Sequence, residues 1–428
     1  YNHELGYDAA AHKWYVEVLP FALPTDQDTY EFFSPPLPYI FPSLIDSVCD
    51  KLYELSLVNI DCTTLYGKST QILQALMFVL IIYFYMNIAQ LIMPFNREFL
   101  DSLILLLVII SANYKTFAMI RGEPYVAFFI SWSLYLFAKL FKNNFIFGRS
   151  DIYYFGIIFG LLALSRQWGF LFILSLLIFL FSMKYFYNDD IFKKLFKLLF
   201  WSLLIAFIIS SWFYFGLFIQ YGSFTTFNEI PQELDIKNNP ISFYTTTGFE
   251  DLLLFKEPFR GSSMTKGIIP ILHSDTWGDW WGYFLLRTGR EGESVNISET
   301  LPYLGRVNAV ALIPTTLYLL GLLYCFKFLK SGKHKFEKNK ELKVFYFLIT
   351  IFTVTGFAGF LWFNIKYPEE KGDTVKATYI IYLLNILPFY GALFLNRIKN
   401  LNLKFYKILY SIVFLIFIHN IPTMITNF

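Results

Sequence analysis

Long apolar stretches alternate with short polar connections along most of this chain. A membrane-spanning helix needs about 20 mostly apolar residues. The pattern predicts ten candidate spans: Thr70 to Met93, Leu100 to Asn113, Pro124 to Phe141, Ile152 to Ser165, Trp168 to Met183, Leu195 to Gln220, Val307 to Phe328, Val344 to Phe363, Ala377 to Leu395 and Phe405 to His419. Several are short, so their ends are free to shift by a few residues. Two polar segments are too long to be connectors, which divides the chain into a first loop (1–69), spans (70–220), a second large loop (221–306) and C-terminal spans (307–428). No fixed-period repeat occurs, and no matched pair of broken helices marks an inverted-repeat transporter.

Composition supports bilayer as the solvent: 56% of the 428 residues are hydrophobic, 21% aromatic and only 16% charged. Threading the ten spans gathers Arg97, Lys142, Arg149, Lys184, Lys193, Lys194 and Lys197 on one side, together with the run SGKHKFEKNKELK and Arg397, Lys399, Lys404 and Lys407. The positive-inside rule makes that side cytoplasmic. Both large loops and KYPEEKGDTVK then face outward, and an outward residue 1 predicts a further span upstream, at least eleven in all. The net charge of +3 follows this topology and implies no nucleic-acid partner. Cys49 and Cys62 share the outward first loop, where an oxidising compartment favours a disulfide, although spacing leaves two free thiols equally open. Cys325 falls in a span.

Within the first loop, Asp8 to Leu19 has helical spacing, with Ala11, Tyr15, Val18 and Leu19 on one stripe, and predicts an interfacial helix. Asp8 stands at its start, either as an N-cap or as a carboxylate available for chemistry. His12 lies one turn on, as polar surface or as a site residue. The following SPPLPY predicts a rigid extended turn, with Tyr39 as a pocket-wall contact, because Pro35 and Pro36 remove donors and restrict their predecessors.

In combination these pieces resemble the GT-C class of polytopic membrane glycosyltransferases, particularly the bacterial and archaeal relatives of protein O-mannosyltransferases and aminoarabinose transferases. GYDAAAH, Leu19-Pro20 and SPPLPY look like that family's first outward loop. IRGEPYVAF resembles its second acidic site, LSRQWGF its break between two spans, and GDTVKATYIIYLLNILPFYGAL its late motif of a basic residue and a Tyr opening a helix. The chain departs in carrying Asp8 without an adjacent acid and Lys376 where many relatives carry Arg, which leaves the sugar open. The resemblance implies an all-α polytopic membrane protein, a GT-C-like multi-span bundle whose two large extracytoplasmic loops carry interfacial helices. It also implies a prokaryotic plasma membrane and a role in the cell envelope.

The activity so implied is transfer of a sugar from a polyprenyl-phosphate-linked donor to a lipid, glycan or protein acceptor at the outer face. An attacking hydroxyl must lose a proton, which assigns Asp8 as general base. The leaving lipid phosphate gains charge and needs fixed cations, for which Lys376 and then Arg166 are the candidates. Snorkelling at a span boundary is the plain alternative for Lys376. Arg166 interrupts two apolar segments, where a charge demands a partner or a polar cavity. Glu123, just before Pro124, is either a second carboxylate or ordinary helix-start chemistry.

His273, Asp275 and Asp279 sit in HSDTWGDWWG with three Trp residues. Such a segment suits a sugar-binding surface, because aromatic faces stack on pyranose rings while carboxylates hold hydroxyls. Interfacial anchoring by Trp explains it equally. A metal site from Asp8, His273 and Asp275 has no supporting ligand spacing, so no metal or cofactor is predicted. Asn296-Ile297-Ser298 matches a glycosylation sequon by chance spacing. Two other functions compete: a lipid or solute transporter or flippase, which needs ionisable groups along a mid-membrane path, and a scaffold displaying two loops.

Overall fold

The computed structural model describes residues 6–56, 59, 61–186, 189–260, 267–282, 297–330, 340–368 and 374–425. Most of the basic run from 331, part of the loop from Lys366 to Lys376, and Asn296 of the sequon lie outside them. Among the described residues the elements are helical: α1 Ala9–Val18, α2 Leu37–Glu54, α3 Cys62–Ile92, α4 Arg97–Val108, α5 Ser111–Ala118, α6 Glu123–Lys142, α7 Arg149–Ala163, α8 Gly169–Phe186 and α9 Asp189–Tyr221. Two short helices, α10 Ile241–Thr245 and α11 Leu253–Lys256, precede α12 Ile268–Trp277 in the second loop. The bundle resumes with α13 Ile297–Lys330 and α14 Lys340–Lys366, then a 3-10 turn Ala377–Ile380 leading into α15 Ile381–Leu384, α16 Leu387–Leu401 and α17 Leu403–Ile425.

Each of the ten predicted spans coincides with a helix or a bent pair to within a few residues, but two of them, Ile152 to Ser165 and Trp168 to Met183, fall on α7 and α8, which are not among the helices long and apolar enough to cross. Six described helices are long and apolar enough to cross a membrane, or eight if each bent pair is one span. The chain is an integral membrane protein. The stretch Leu100 to Asn113 crosses a 57° bend between α4 and α5, and Ala377 to Leu395 a 43° bend before α16. Leu387-Pro388 opens α16, where a missing proline N–H costs no intrahelical bond.

Helix α3 begins well before the apolar stretch because Asp61 caps it, accepting from Thr63 N at 3.2 Å and Thr64 N at 3.1 Å. At 31 residues its length is roughly 46 Å at 1.5 Å per residue, against a hydrocarbon core of about 30 Å. The protruding end supports α2, and Cys49 is bonded to Cys62 across a Cα–Cα distance of 5.6 Å.

The first loop is helix, break, helix. The helix predicted from Asp8 to Leu19 coincides with α1. SPPLPY differs from the expected extended turn: only Ser34 to Pro36 is non-helical, and Leu37-Pro38-Tyr39 forms the first turn of α2. Proline is tolerated there because first-turn N–H groups have no helical partner. Leu37 N donates to Leu164 O at 3.1 Å, which fastens α2 to the end of α7. Helices α7 and α9 run closely together because Gly156 and Gly160 have no side chain. A Cβ at these positions would stand 2.7 Å and 2.8 Å from the Cβ atoms of Ile205 and Ile209.

Candidate functional site

Most of the deeply buried charged residues among those described, Lys343 apart, gather where α1, the turn before α6, the α7–α8 break, α12 and the turn before α15 meet. Asp8 precedes α1 in a left-handed conformation (φ 57°, ψ 24°), and its side chain caps nothing. The N-cap alternative therefore falls away. The half-exposed carboxylate instead reaches Lys376, whose Nζ donates to Asp8 Oδ2 at 3.3 Å.

Lys376 opens the 3-10 turn, and its ammonium is lined by aromatic faces. Nζ lies 5.2 Å from the Tyr7 ring centroid, 5.4 Å from Tyr379 and 6.0 Å from Trp281, and 3.4 Å from the Tyr379 hydroxyl. Arg121 stands over two of the same rings, 5.8 Å from Tyr7 and 5.6 Å from Tyr379, and Arg260 lies 5.1 Å from Trp281. Ring quadrupoles attract cations at these distances without neutralising them. Burial by itself raises the Asp8 carboxyl, but the charges of Lys376, Arg121 and His12 outweigh it and hold Asp8 at about 2.

Behind this pair sits a network of two Arg and two Glu. Arg121 Nε donates to Glu123 at 2.6 Å, Arg166 Nε to Glu123 at 3.1 Å, and Arg166 Nη1 to Glu31 at 2.6 Å. The Ser34 hydroxyl bonds both Glu31 and Arg166. Gly122 permits the arrangement: a Cβ there would collide with the Ser165 carbonyl and the Arg166 side chain. Glu123 and Arg166 are thus brought together, 1% and 5% exposed. Arg166's charge is met by carboxylates, the partner that a cation in an apolar break requires.

His12 and Tyr39 also meet, with the ring Nδ1 2.7 Å from the Tyr39 hydroxyl and Tyr39 stacked on Tyr15 at 3.9 Å. Both are buried, His12 on α1 and Tyr39 on α2, where the two helices pack together. Burial lowers the His12 imidazole to about 4, and Arg121 and Arg166 reinforce this against Glu31 and Asp8, so the ring is neutral near pH 7.

From the second loop, Asp275 is 1% exposed with both oxygens occupied, Oδ1 by the Tyr7 hydroxyl at 2.7 Å and Oδ2 by Ala377 N at 2.6 Å. Asp279 is buried nearby in sequence. His273 turns instead to α13, with Nε2 3.0 Å from Asn308 O. Asp8, His273 and Asp275 therefore have separate partners, and among the described residues no three His, Cys, Asp or Glu side chains are placed around one metal ion.

Trp281 belongs to the Trp-rich segment and Tyr379 to the late motif, whereas Tyr7, Glu31, Lys115 and Arg121 complete the site without having been assigned a role from the sequence. Arg121 lies two residues from Glu123 in IRGEPY, and Tyr379 three after Lys376, so proximity to a marked residue was a usable signal for those two.

No protein-family profile and no curated protein sequence matches the chain. Among solved structures, it is similar to the Archaeoglobus fulgidus oligosaccharyltransferase in complex with Zn and sulfate. The TM-score is 0.52 at 15% identity, covering 99% of this chain and 50% of that one. It is similar also to the archaeal oligosaccharyltransferase AglB from the same organism with an inhibitory peptide and a dolichol-phosphate, at TM-score 0.51 and 12% identity over 98% of this chain and 52% of the other. The chain has the GT-C fold. It spans about half the length of these GT-C proteins. One of them is described with Zn; among the described residues the donor set here, with Asp8 on a lysine and Asp275 on Tyr7 and Ala377, does not fit such an ion.

Proposed function

We propose that this protein transfers a sugar from a polyprenyl-phosphate-linked donor to an acceptor hydroxyl at the extracytoplasmic membrane face. The observation that carries the reading is the meeting of Asp8 and Lys376 at 3.3 Å, on a GT-C fold. An acid and a cation from opposite ends of the chain share one aromatic-lined rim, as displacement at a sugar phosphate requires. The Cys49–Cys62 disulfide supports an oxidising outer compartment for that rim.

In the reaction, the acceptor oxygen attacks the anomeric carbon while the bond from that carbon to the phosphate oxygen breaks. Asp8 takes the hydroxyl proton, and the lipid phosphate leaves with the bonding electrons, its charge met by Lys376. A single displacement inverts the anomeric centre.

A carboxylate at about 2 is a weak base. Donor phosphate on Lys376 redirects that cation away from Asp8 and adds a negative charge beside it. Both effects raise the Asp8 pKa toward the useful range, so the base strengthens when the donor binds. Glu123, Arg166 and Glu31 hold this surface from behind, and His12 and Tyr39 support α1. Buried Glu31, Arg121, Glu123 and Arg166 cluster at one end of the bundle, which favours rim chemistry over a transport path.

The test is purified chain in nanodiscs with polyprenyl-phosphate sugars and candidate acceptors, comparing wild type with Asp8→Asn. Transfer by the wild type that survives intact in Asp8→Asn removes Asp8 from the mechanism. Flux across proteoliposomes without chemical conversion replaces the enzyme reading with a transporter.

A further inference from the structure

The carboxylate of Asp275 bonds the neighbours of both members of the acid–cation pair. It accepts from the hydroxyl of Tyr7, which precedes Asp8, and from the backbone N–H of Ala377, which follows Lys376. We infer that Asp275 is a positioning residue that sets the Asp8–Lys376 separation, so that docking of α12 from the second loop is what assembles the site. The inference rests on reading Asp8 and Lys376 as the reacting pair.

Three features support it. Asp275 is 1% exposed and each of its oxygens already accepts a hydrogen bond from within the protein, so its carboxylate serves the backbone and Tyr7. Its helix end is itself pinned: Lys115 Nζ donates to Asp275 O at 2.9 Å and also to Gly278 O. Finally, the ring that Asp275 orients is shared. Tyr7 lies against Lys376 and Arg121 and meets Trp281 edge-on at 6.4 Å.

A lysine ammonium on a four-carbon stem has little orientation of its own. Its placement must come from the backbone at its root and from surfaces that limit its rotamers. Asp275 supplies both, through Ala377 N and through Tyr7. A displacement of about 1 Å at reacting groups costs roughly 100-fold in rate, which sets the scale of the effect.

The experiment compares full-length wild type, Asp275→Ala, Asp275→Asn and Tyr7→Phe in nanodiscs. Hydrogen exchange, without substrate, is read in peptides covering Tyr7–His12 and Thr374–Ile380, and sugar transfer is measured separately. Asp275→Ala should raise exchange in both peptides and lower kcat roughly 100-fold, with donor KM changed less than about threefold. Asp275→Asn can still accept from Ala377 N–H and donate to the Tyr7 oxygen, and should recover most of the protection and rate. Tyr7→Phe removes one arm and should cost about tenfold, with exchange rising mainly in the first peptide.

Unchanged exchange in Asp275→Ala overturns the inference, as does raised exchange with unaltered kcat. An effect on KM alone would return Asp275 to substrate binding. Should Asp275→Ala fail to fold, Tyr7→Phe decides by the same two readouts. If the wild type transfers no sugar, the proposed function fails, while exchange still reports whether Asp275 joins the two segments.

Discussion

Arg166 and Glu31 form a buried ion pair with Nη1 2.6 Å from Oε2, and the residues are 5% and 7% exposed. The pair joins the first loop to the break between α7 and α8. The same guanidinium reaches Glu123, so its removal leaves buried Glu31 without a guanidinium partner while Glu123 keeps Arg121. Stranding a buried charge typically costs about 3–5 kcal/mol.

Arg166→Met should therefore lower the unfolding midpoint of the detergent-solubilised protein and expose the first loop to protease. Glu31→Gln, which leaves Arg166 with Glu123, should cost less. Equal losses for the two would mean that the network is not coupled through Arg166.

Asp8 and Lys376 should behave oppositely, with small effects on stability and large ones on rate. The Asp8 carboxylate is 44% exposed, and exposed ion pairs contribute only about 0–1 kcal/mol. Asp8→Asn should thus leave the thermal midpoint nearly unmoved and reduce kcat by roughly 10²–10⁴. Lys376→Met should weaken donor binding as well, read as a rise in KM together with a fall in kcat.

A base that strengthens on donor binding separates two pH profiles. In the free protein Asp8 titrates at about 2, so the acid limb of kcat/KM should not come from Asp8 above about pH 4, its unperturbed value. With donor phosphate drawing Lys376 away, the acid limb of kcat should lie at higher pH. Coincident limbs would show that Lys376 stays with Asp8 throughout turnover.

The apolar pattern carries most of the fold, because each helix of the bundle must hide its backbone polar groups from lipid. Asp8 and Lys376 are marked by motif, but their contact is tertiary: nothing local to either says that α1 folds back over the turn before α15. Glu31 is a harder case. It lies in TDQDTYEFF among Asp26 and Asp28, and only the three-dimensional position of Arg166 selects it. The SPPLPY turn shows the reverse error, since two prolines read as an extended break also satisfy the first turn of a helix.

His12 gives a separate handle on the first loop. Burial lowers its folded-state value to about 4 from 6.5, so the unfolded chain binds the proton more readily. Stability should then be full above about pH 6.5 and fall as pH drops toward 4, by about 3 kcal/mol at 1.36 kcal/mol per unit. Asp8 and Glu31, both held near 2, have the same sign but act in a lower window, losing their contributions only as pH falls below about 4. Thermal midpoints of wild type and His12→Asn, measured every half unit from pH 7 to 3, separate the two. The variant should flatten the curve between 6.5 and 4 and leave the drop below 4. A wild-type curve already flat in the upper window would mean that Glu31, 4.0 Å from His12 Nε2, offsets the cost of charging the buried ring.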